Sequence, residues 1–210
     1  MHIDPGEIFI GFTVLLFSLT VHEAAHAWSA WKLGDPTARD QGRVSLNPAV
    51  HIDPIGTVVF PLLAMITSAP VLGWARPVPV DLRRLMHWRR DHMLIAAAGP
   101  VSNLLLAVLA AGVLKVLPAA APGGFSLVEP VTVMCQAAVM LNIILAAFNF
   151  VPVPPLDGGN VLRGLLRGRP AHLFDRVQPY GFFLLYALML SGALSFLIGP
   201  PARALAGWLL

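Results

Sequence analysis

The sequence predicts an all-α polytopic membrane protein that forms one domain over residues 1–210. We expect three core helices, an additional C-terminal helix, and a re-entrant or interfacial segment with a short extended or β stretch. The chain is 57% hydrophobic and only 12% charged, whereas soluble domains carry about 25% charged residues. Of its five stretches free of Asp, Glu, Lys, Arg and His, all but the first exceed the roughly 20 residues that cross a bilayer. These stretches are 8–21, 54–75, 93–114, 130–156 and 177–202.

The first core helix is expected over about 7–32. Its charge-free stretch, 8–21, is too short to cross a bilayer, so the helix must continue through His22, Glu23 and His26. An ionisable side chain at the centre of a membrane helix costs about 2.5–3.5 kcal/mol for Asp, Lys or Arg. Three ionisable side chains inside the membrane or at its edge therefore indicate a functional site.

The next apolar segment, 54–75, is long enough to span the membrane, but three prolines and two glycines interrupt it. Such breaks favour a bent segment that re-enters the membrane or lies along its surface. The stretch GWARPVPVDL at 73–82 alternates apolar with other residues and contains two prolines. Prolines confine such a stretch to an edge strand or an extended segment.

The other helices are placed by their apolar length and by the arginines. Core helices are expected over about 92–117 and 130–157, and the C-terminal helix over 177–199. Arginines cluster at 76–91 and 160–176, whereas the connection between the second and third core helices has no basic residue. Because positively charged loops of membrane proteins lie in the cytoplasm, we expect both arginine-rich loops there and the connection outside.

Composition excludes several other classes of protein. The single cysteine, Cys135, excludes an intramolecular disulfide framework and a cysteine-rich zinc finger. The isoelectric point of about 9.6 does not require nucleic acid as a partner, because basic residues of membrane proteins mark their cytoplasmic loops. The sequence has no basic run interleaved with aromatic residues and no glycine-rich phosphate-binding loop. We therefore expect no nucleic-acid partner.

The motif HEAAH at 22–26 carries the main chemical signal. Its two histidines lie four residues apart, on one face of a helix, so both imidazoles can bind one ion. Glu23 can hold a water beside that ion; in zinc proteases the metal lowers the pKa of this water to about 7 and the glutamate takes its proton. The alternative is a polar helix end that meets interfacial water. Three ionisable residues at this spacing in an apolar helix favour the metal site.

A catalytic zinc normally has a third protein ligand. In one zinc-protease pattern a third histidine follows on the same helix, but Ser29 and Lys32 occupy its glycine and histidine positions. A glutamate as third ligand is doubtful, because the only glutamate after Glu23 is Glu129, and the charge pattern assigns Glu129 to the outside. Asp157 ends a long apolar run in NFVPVPPLDGGN, whose prolines unwind the helix and free the carboxylate to point sideways. Although Asp-Gly is also a common turn, we predict Asp157 as the third ligand.

The choice of Asp157 constrains the topology of the chain. Asp157 lies at the inner end of its predicted helix, so HEAAH must also lie toward the cytoplasmic face. That position requires 54–75 to return to the side that it left. We therefore expect this segment to be re-entrant.

Three blocks of the sequence resemble the site-2 proteases, a family of intramembrane zinc metalloproteases. They are HEAAH at 22–26, AAGPVSNLLLA at 97–107 and FNFVPVPPLDGG at 148–159. The pattern HExxH alone is moderately specific, but it is strong when joined to an NxxPxPxLDG block in a membrane protein. The resemblance covers about residues 8–170. It is closest to the compact prokaryotic members without a PDZ domain.

The resemblance implies a three-helix catalytic core. From the resemblance together with the arginine pattern, we expect a multi-pass protein of the cell membrane with the active site toward the cytoplasmic side. The resemblance also implies that His22, His26 and Asp157 bind one zinc ion (Zn2+) per chain and that Glu23 is the general base. The implied substrates are single-span membrane proteins in the lipid bilayer, cleaved in regulated intramembrane proteolysis. The alternative is a non-catalytic metal-binding membrane protein or transporter, which would not need Glu23. The sequence indicates no oligomeric state.

Three asparagines are further candidates for roles at this site. The developing oxyanion of a hydrolysis needs a hydrogen-bond donor besides the metal, and we predict Asn149, eight residues before Asp157. Asn142 lies two turns earlier on roughly the same face, and Asn103 lies in the opposite core helix. Both amides are candidates either for site-supporting roles or for hydrogen bonds that hold the helices together.

The loop and the extended stretch supply the remaining candidates. His51, in NPAVHIDP, is a candidate fourth ligand or substrate contact, although such loop histidines commonly make turn hydrogen bonds. Trp74 and Val78 lie in the extended stretch, which has the pattern of an edge that can pair with an unwound substrate. The substrate must unwind, because helical hydrogen bonds bury its scissile carbonyl. The other histidines are expected to be structural: His2, His87, His92 and His172.

Overall fold

A computed structural model of the protein describes residues 5–67, 73–117 and 128–210. Residues 68–72 of the predicted re-entrant segment, and most of the connection predicted to lie outside, fall beyond these ranges. The described residues form nine α-helices: α1 Pro5–Lys32, α2 Thr37–Asp40, α3 Phe60–Thr67, α4 Trp88–Val116, α5 Val128–Asn149, α6 Asp157–Leu165, α7 Arg169–Val177, α8 Gly181–Leu190 and α9 Ala193–Leu209.

The long helices α1, α4 and α5 form the centre of the fold. Each is long and apolar enough to cross a membrane, and the C-terminal helices add a fourth candidate if their bent pair counts as one span. Helix α4 packs against both α1 and α5, and α1 also contacts α5. The prediction of an all-α polytopic membrane protein is thereby confirmed.

Helix α9 packs against α4 and α5. Small side chains let these helices approach closely, as is usual in membranes where packing rather than the hydrophobic effect drives helix association. The buried cluster at this contact consists of Ala107, Ala111, Val139, Ile143, Ala202 and Leu209.

The predicted single C-terminal helix over 177–199 is wrong. The structure instead has α8 and α9, and the helical unit Arg169–Leu190 is bent by 76° against α9. The break occurs because Gly192 adopts a left-handed conformation with φ of 77°, which ends a helix and favours glycine. The flanking residues are uniformly apolar, so the hydropathy pattern did not show this break.

The third core helix, predicted over 130–157, ends earlier than expected, at Asn149. Residues 150–156 have no regular helix, and a separate helix, α6, begins at Asp157. The physical reason is the proline content of this stretch, since each proline removes a helical N–H donor and collides with the preceding turn. Asp157 therefore lies at the first turn of α6 rather than at the end of α5.

The described parts of the segment 54–75 are residues 54–67 and 73–75, and their outer ends lie together. Its helical part is Pro54–Thr67. Asp53 caps the start of this helix, because its carboxylate accepts a hydrogen bond from the Gly56 N–H at 2.7 Å. At the other end of the segment, the Trp74 N–H donates to the Gly56 carbonyl at 3.0 Å, and the Thr57 hydroxyl donates to the Trp74 carbonyl at 2.8 Å. The described backbone of Gly56 and Thr57 therefore lies against Trp74, and the re-entrant course of the whole segment stays a prediction.

The predicted β character of the stretch at 73–82 is not found. Residues 73–81 have no regular secondary structure, and no β-strand occurs in the described ranges. The reason is that the stretch pairs with a loop and with an arginine side chain instead of a neighbouring strand: the Arg76 N–H donates to the His51 carbonyl at 2.9 Å, and Arg43 donates to the carbonyls of Arg76 and Pro77.

Candidate metal centre

Three side chains from two distant parts of the chain converge on one point. His22 and His26 come from successive turns of α1, and Asp157 comes from the first turn of α6. The two Nε2 atoms lie 3.0 Å apart, and Oδ2 of Asp157 lies 3.1 Å from Nε2 of His22 and 3.3 Å from Nε2 of His26. Within the described ranges this is the group of donors that can hold a metal ion.

The outer nitrogens of both imidazoles are occupied. Nδ1 of His22 lies 2.6 Å from Oδ1 of Asn103, and Nδ1 of His26 lies 2.7 Å from the carbonyl oxygen of Ile95. Both partners are acceptors, so both Nδ1 atoms donate and each Nε2 points its lone pair into the centre. This second layer of hydrogen bonds is typical of metal-binding histidines.

The donor set fits a metal ion such as zinc. Ligand atoms bound tetrahedrally at 2.0–2.1 Å lie about 3.3 Å apart, close to the 3.1 Å and 3.3 Å between Asp157 and the histidines. Two nitrogen lone pairs and a carboxylate held this close repel one another unless a cation lies between them. The three residues can supply the three protein ligands of a catalytic zinc site and leave its fourth position open.

Asn103 links the metal centre to the packing of the three long helices. Its Nδ2 donates to Oδ1 of Asn142 at 2.8 Å, and Nδ2 of Asn142 donates to the hydroxyl of Ser18 at 2.9 Å. Both residues are buried, with 0% of Asn103 and 1% of Asn142 exposed. One network therefore orients the ring of His22 and joins α1, α4 and α5, so the two interpretations of these asparagines are compatible.

Gly99 of α4 gives the two histidines their space. A Cβ atom at this position would lie 2.5 Å from Nε2 of His22 and closer still to Nε2 of His26. Contacts this short require the ligands to move. The glycine of AAGPVSNLLLA thus packs directly on the metal centre.

The Gly99→Ala substitution is expected to weaken zinc binding by about tenfold or more, because overpacking typically costs about 1–3 kcal/mol. The measurement is the zinc content per chain across a series of buffered free-zinc concentrations. Gly112→Ala is the matched control, since it lies on the same helix and its added Cβ would meet nothing within 4 Å. Equal zinc affinity in the two variants would contradict the packing argument.

The two glycines after Asp157 explain how α6 can begin at this place. A Cβ at Gly158 would lie 2.5 Å from the carbonyl oxygen of Val151, and a Cβ at Gly159 would lie 2.8 Å from the nitrogen of Pro154. Only glycine lets the first turn of α6 approach the irregular backbone of residues 150–156 so closely. The LDGG sequence thus sets the position of the carboxylate.

A cleft of about 670 Å³ opens beside the three donors, which is within the usual range for binding sites. Glu23 lines it next to the histidines, is partly buried, and has no hydrogen-bond partner in the part of the chain that the structure describes. Asn149 also lines the cleft, with Nδ2 donating to the Leu145 carbonyl at 3.0 Å. Trp74 and Val78, from the irregular stretch 73–81, also line the cleft.

His51 lies apart from the converging donors. It is 2% exposed, and its Nε2 donates to the Ser45 carbonyl at 2.9 Å. Burial lowers the pKa of His51, the Ser45 hydrogen bond opposes this change, and the nearby charge of Arg43 adds to it. His51 is therefore a neutral, buried loop histidine, and its backbone carbonyl holds the extended stretch.

Sequence reasoning missed several residues of the cleft. His92 was expected to be structural, but it lines the cleft from α4. Its spacing of seven residues from Gly99 places both on one helix face, and this periodicity could have revealed it. Phe182 and Leu185 of α8 also line the cleft. No sequence pattern indicated this position, because the packing of α8 depends on the bend that separates it from α9.

Two histidines, one carboxylate and a neighbouring glutamate, enclosed by helices of membrane length, are the features of the class of membrane metallopeptidases. The model of Peptidase family M50 matches residues 120–192. A relative named "Putative zinc metalloprotease YwhC", from Bacillus subtilis, is 34% identical over 194 residues, which cover 90% of this chain and 84% of YwhC. The chain therefore belongs to family M50, the site-2 proteases, and the resemblance seen in the sequence is confirmed.

Similarity extends to relatives from two mycobacteria. Proteins named "Putative zinc metalloprotease Rip2" are 28% identical over 186 residues in Mycolicibacterium smegmatis and 27% identical over 184 residues in Mycobacterium tuberculosis. Each match covers 86% of this chain and 66% of the relative. No solved structure matches the chain significantly.

Proposed function

We propose that the protein is a zinc-dependent intramembrane protease. It hydrolyses peptide bonds within or next to the transmembrane helices of single-span, membrane-tethered proteins, as in regulated intramembrane proteolysis. The observation that carries the proposal is the convergence of His22, His26 and Asp157 beside Glu23 in one cleft between helices of membrane length. Zinc in the names of the relatives supports the choice of metal.

Each residue of the centre has a role in this proposal. His22, His26 and Asp157 hold one zinc ion per chain, which, when bound, supplies a water of pKa about 7 and polarises the scissile carbonyl. The carboxylate of Glu23 accepts the proton of the attacking water and passes it to the leaving amine nitrogen. The free amide hydrogen of Asn149 donates to the carbonyl oxygen as negative charge develops there.

The active site is proposed to lie toward the cytoplasmic side of the cell membrane. Support comes from the exposed arginines around Trp88 at the start of α4 and from Arg163 of α6, whose guanidinium lies 5.6 Å from the Trp88 ring. Asp157 begins the same helix as Arg163. Because basic residues mark the cytoplasmic ends of spans, the metal centre belongs to that half of the molecule.

The extended stretch is proposed to hold the unwound substrate. Its backbone is bonded to residues 43–57 at Trp74, Arg76 and Pro77, whereas the N–H and carbonyl of Ala75 have no partner among the residues that the structure describes and so form an open edge. Ala75, Trp74 and Val78 all line the cleft. An extended substrate segment can therefore add to the open edge by backbone hydrogen bonds.

Replacing residues 74–80 with a flexible Gly/Ser linker is expected to reduce cleavage, because a flexible stretch must be ordered before it can pair with a substrate. The measurement is the initial rate of cleavage of a single-span substrate, with the zinc content as the control for an intact metal centre. Unchanged cleavage in a zinc-loaded variant would remove the proposed role of the stretch.

The proposed activity is tested with purified protein and a panel of single-span membrane substrates in liposomes. Cleavage within or next to the substrate helix, identified by mass spectrometry, is the expected result, and it should stop on zinc chelation and return on adding zinc. Metal binding without cleavage of any substrate would favour a non-catalytic metal-binding protein or transporter. Cleavage that persists after complete removal of zinc would exclude the metalloprotease mechanism.

A further inference from the structure

Arg43 is a buried arginine outside the metal centre. It follows Gly42, whose φ of 71° turns the chain after α2, and its backbone N–H donates to the Ala38 carbonyl at 2.9 Å. Only 4% of the residue is exposed. Such burial of a permanent cation is costly unless its donors are used.

The guanidinium of Arg43 bonds to the extended stretch. Its Nη2 donates to the carbonyl of Arg76 at 2.6 Å and to the carbonyl of Pro77 at 2.9 Å. Its Nε and Nη1, and Nδ1 of His51, are buried without a hydrogen-bond partner within the described ranges. The two carbonyl bonds, together with the nearby negative charge of Glu23, compensate the burial of this charge.

The bonds from Arg43 add to others that hold residues 74–77 against residues 43–57. The N–H and carbonyl of Trp74 bond to Gly56 and Thr57, and the Arg76 N–H donates to the His51 carbonyl. Arg43 adds bonds to the carbonyls of Arg76 and Pro77. Ala75, Pro77 and Val78 of the same stretch line the cleft.

We infer that Arg43 is a positioning residue for substrate binding, and this inference rests on the proposed protease function. By bonding to the carbonyls of Arg76 and Pro77, it holds the cleft-lining residues Ala75, Pro77 and Val78 in place beside the metal centre. Arg43 acts through the stretch and touches neither the metal nor the reacting atoms. Its loss weakens substrate binding more than the chemical step.

The first test compares Arg43→Gln with Arg39→Gln, a control in the same part of the chain whose side chain is largely exposed and paired with Asp40. We expect Arg43→Gln to raise the KM for a single-span substrate about tenfold, since hydrogen bonds from a charged donor are worth about 1.5–3 kcal/mol. Zinc content and kcat should stay close to wild type. Arg43→Lys should raise the KM less than Arg43→Gln does, because lysine keeps the positive charge but lacks the planar guanidinium group.

A second test separates positioning from general stability. In the variant with a Gly/Ser linker at 74–80, Arg43→Gln should add no further loss of cleavage, because the stretch through which it acts is already gone. A full additional loss in that background would overturn the inference. So would an unchanged KM in the otherwise native protein, or a fall in zinc content that parallels the loss of rate.

A third readout does not depend on protease activity. Hydrogen–deuterium exchange of the Arg76 N–H, which donates to the His51 carbonyl, reports how often the stretch moves from its place. Arg43→Gln should raise this exchange rate about tenfold, and Arg39→Gln should not. Faster exchange without any cleavage by the wild type would refute the proposed function and retain the positioning role of Arg43. Equal exchange in the two variants would refute that positioning role itself.

Discussion

Glu23→Gln is expected to abolish cleavage of a single-span substrate while zinc binding is retained. The substitution keeps the shape of the side chain but removes the carboxylate that accepts a proton from the attacking water. General bases contribute about 10²–10⁴-fold to rate, so the loss should fall in that range or below detection. Glu23 is not one of the converging donors, and zinc should therefore remain near one per chain.

The control for Glu23→Gln is Glu7→Gln, which changes the same residue type in the exposed first turn of the same helix. It should cleave like wild type. The measurements are the initial rate and the zinc content of both variants on the same substrate. Wild-type cleavage by Glu23→Gln would assign the general base to another group, and loss of zinc in this variant would show that Glu23 supports the metal.

Asp157→Asn is expected to lose both zinc and cleavage. The change leaves two imidazoles and a neutral amide, which is a much poorer ligand for zinc than a carboxylate. Because loss of even an outer partner of a zinc ligand costs about 10–100-fold in affinity, loss of the ligand itself should cost at least about 100-fold. The measurement is zinc affinity by competition with a chelator.

Asp40→Asn is the matched control for the third ligand, since Asp40 is exposed and its carboxylate bonds only to Arg39 among the described residues. It should bind zinc with wild-type affinity. Full zinc occupancy in Asp157→Asn would move the third ligand elsewhere in the chain. Loss of zinc in both variants would indicate a general loss of folding, which circular dichroism would detect.

The convergence of His22, His26 and Asp157 was predictable because the two histidines are close in sequence and Asp157 stands apart from the other acidic residues. The spacing of His22 and His26 on one helix fixes that their side chains share a face. Asp157 was isolated by elimination among acidic residues and by its prolines, which end α5 and allow α6 to begin with the carboxylate. The structure places these three donors within hydrogen-bonding distance of one another.

The surroundings of the centre could not be predicted in the same way, since they depend on packing between distant segments. The bond from His22 to Asn103 requires the register of α1 against α4. The two carbonyl bonds of Arg43 require Arg76 and Pro77 to lie against a part of the chain more than 30 residues earlier. The break at Gly192 follows from one backbone angle in an apolar run, where hydropathy carries no signal for a helix end.

The most direct test of the account is a zinc titration of the metal-free protein with cleavage as the readout. The initial rate on a single-span substrate should rise in proportion to bound zinc and reach its plateau at one zinc per chain. Glu23→Gln should bind the same amount and stay inactive throughout. Cleavage by the metal-free protein, or no cleavage of any substrate at one bound zinc per chain, would contradict the account.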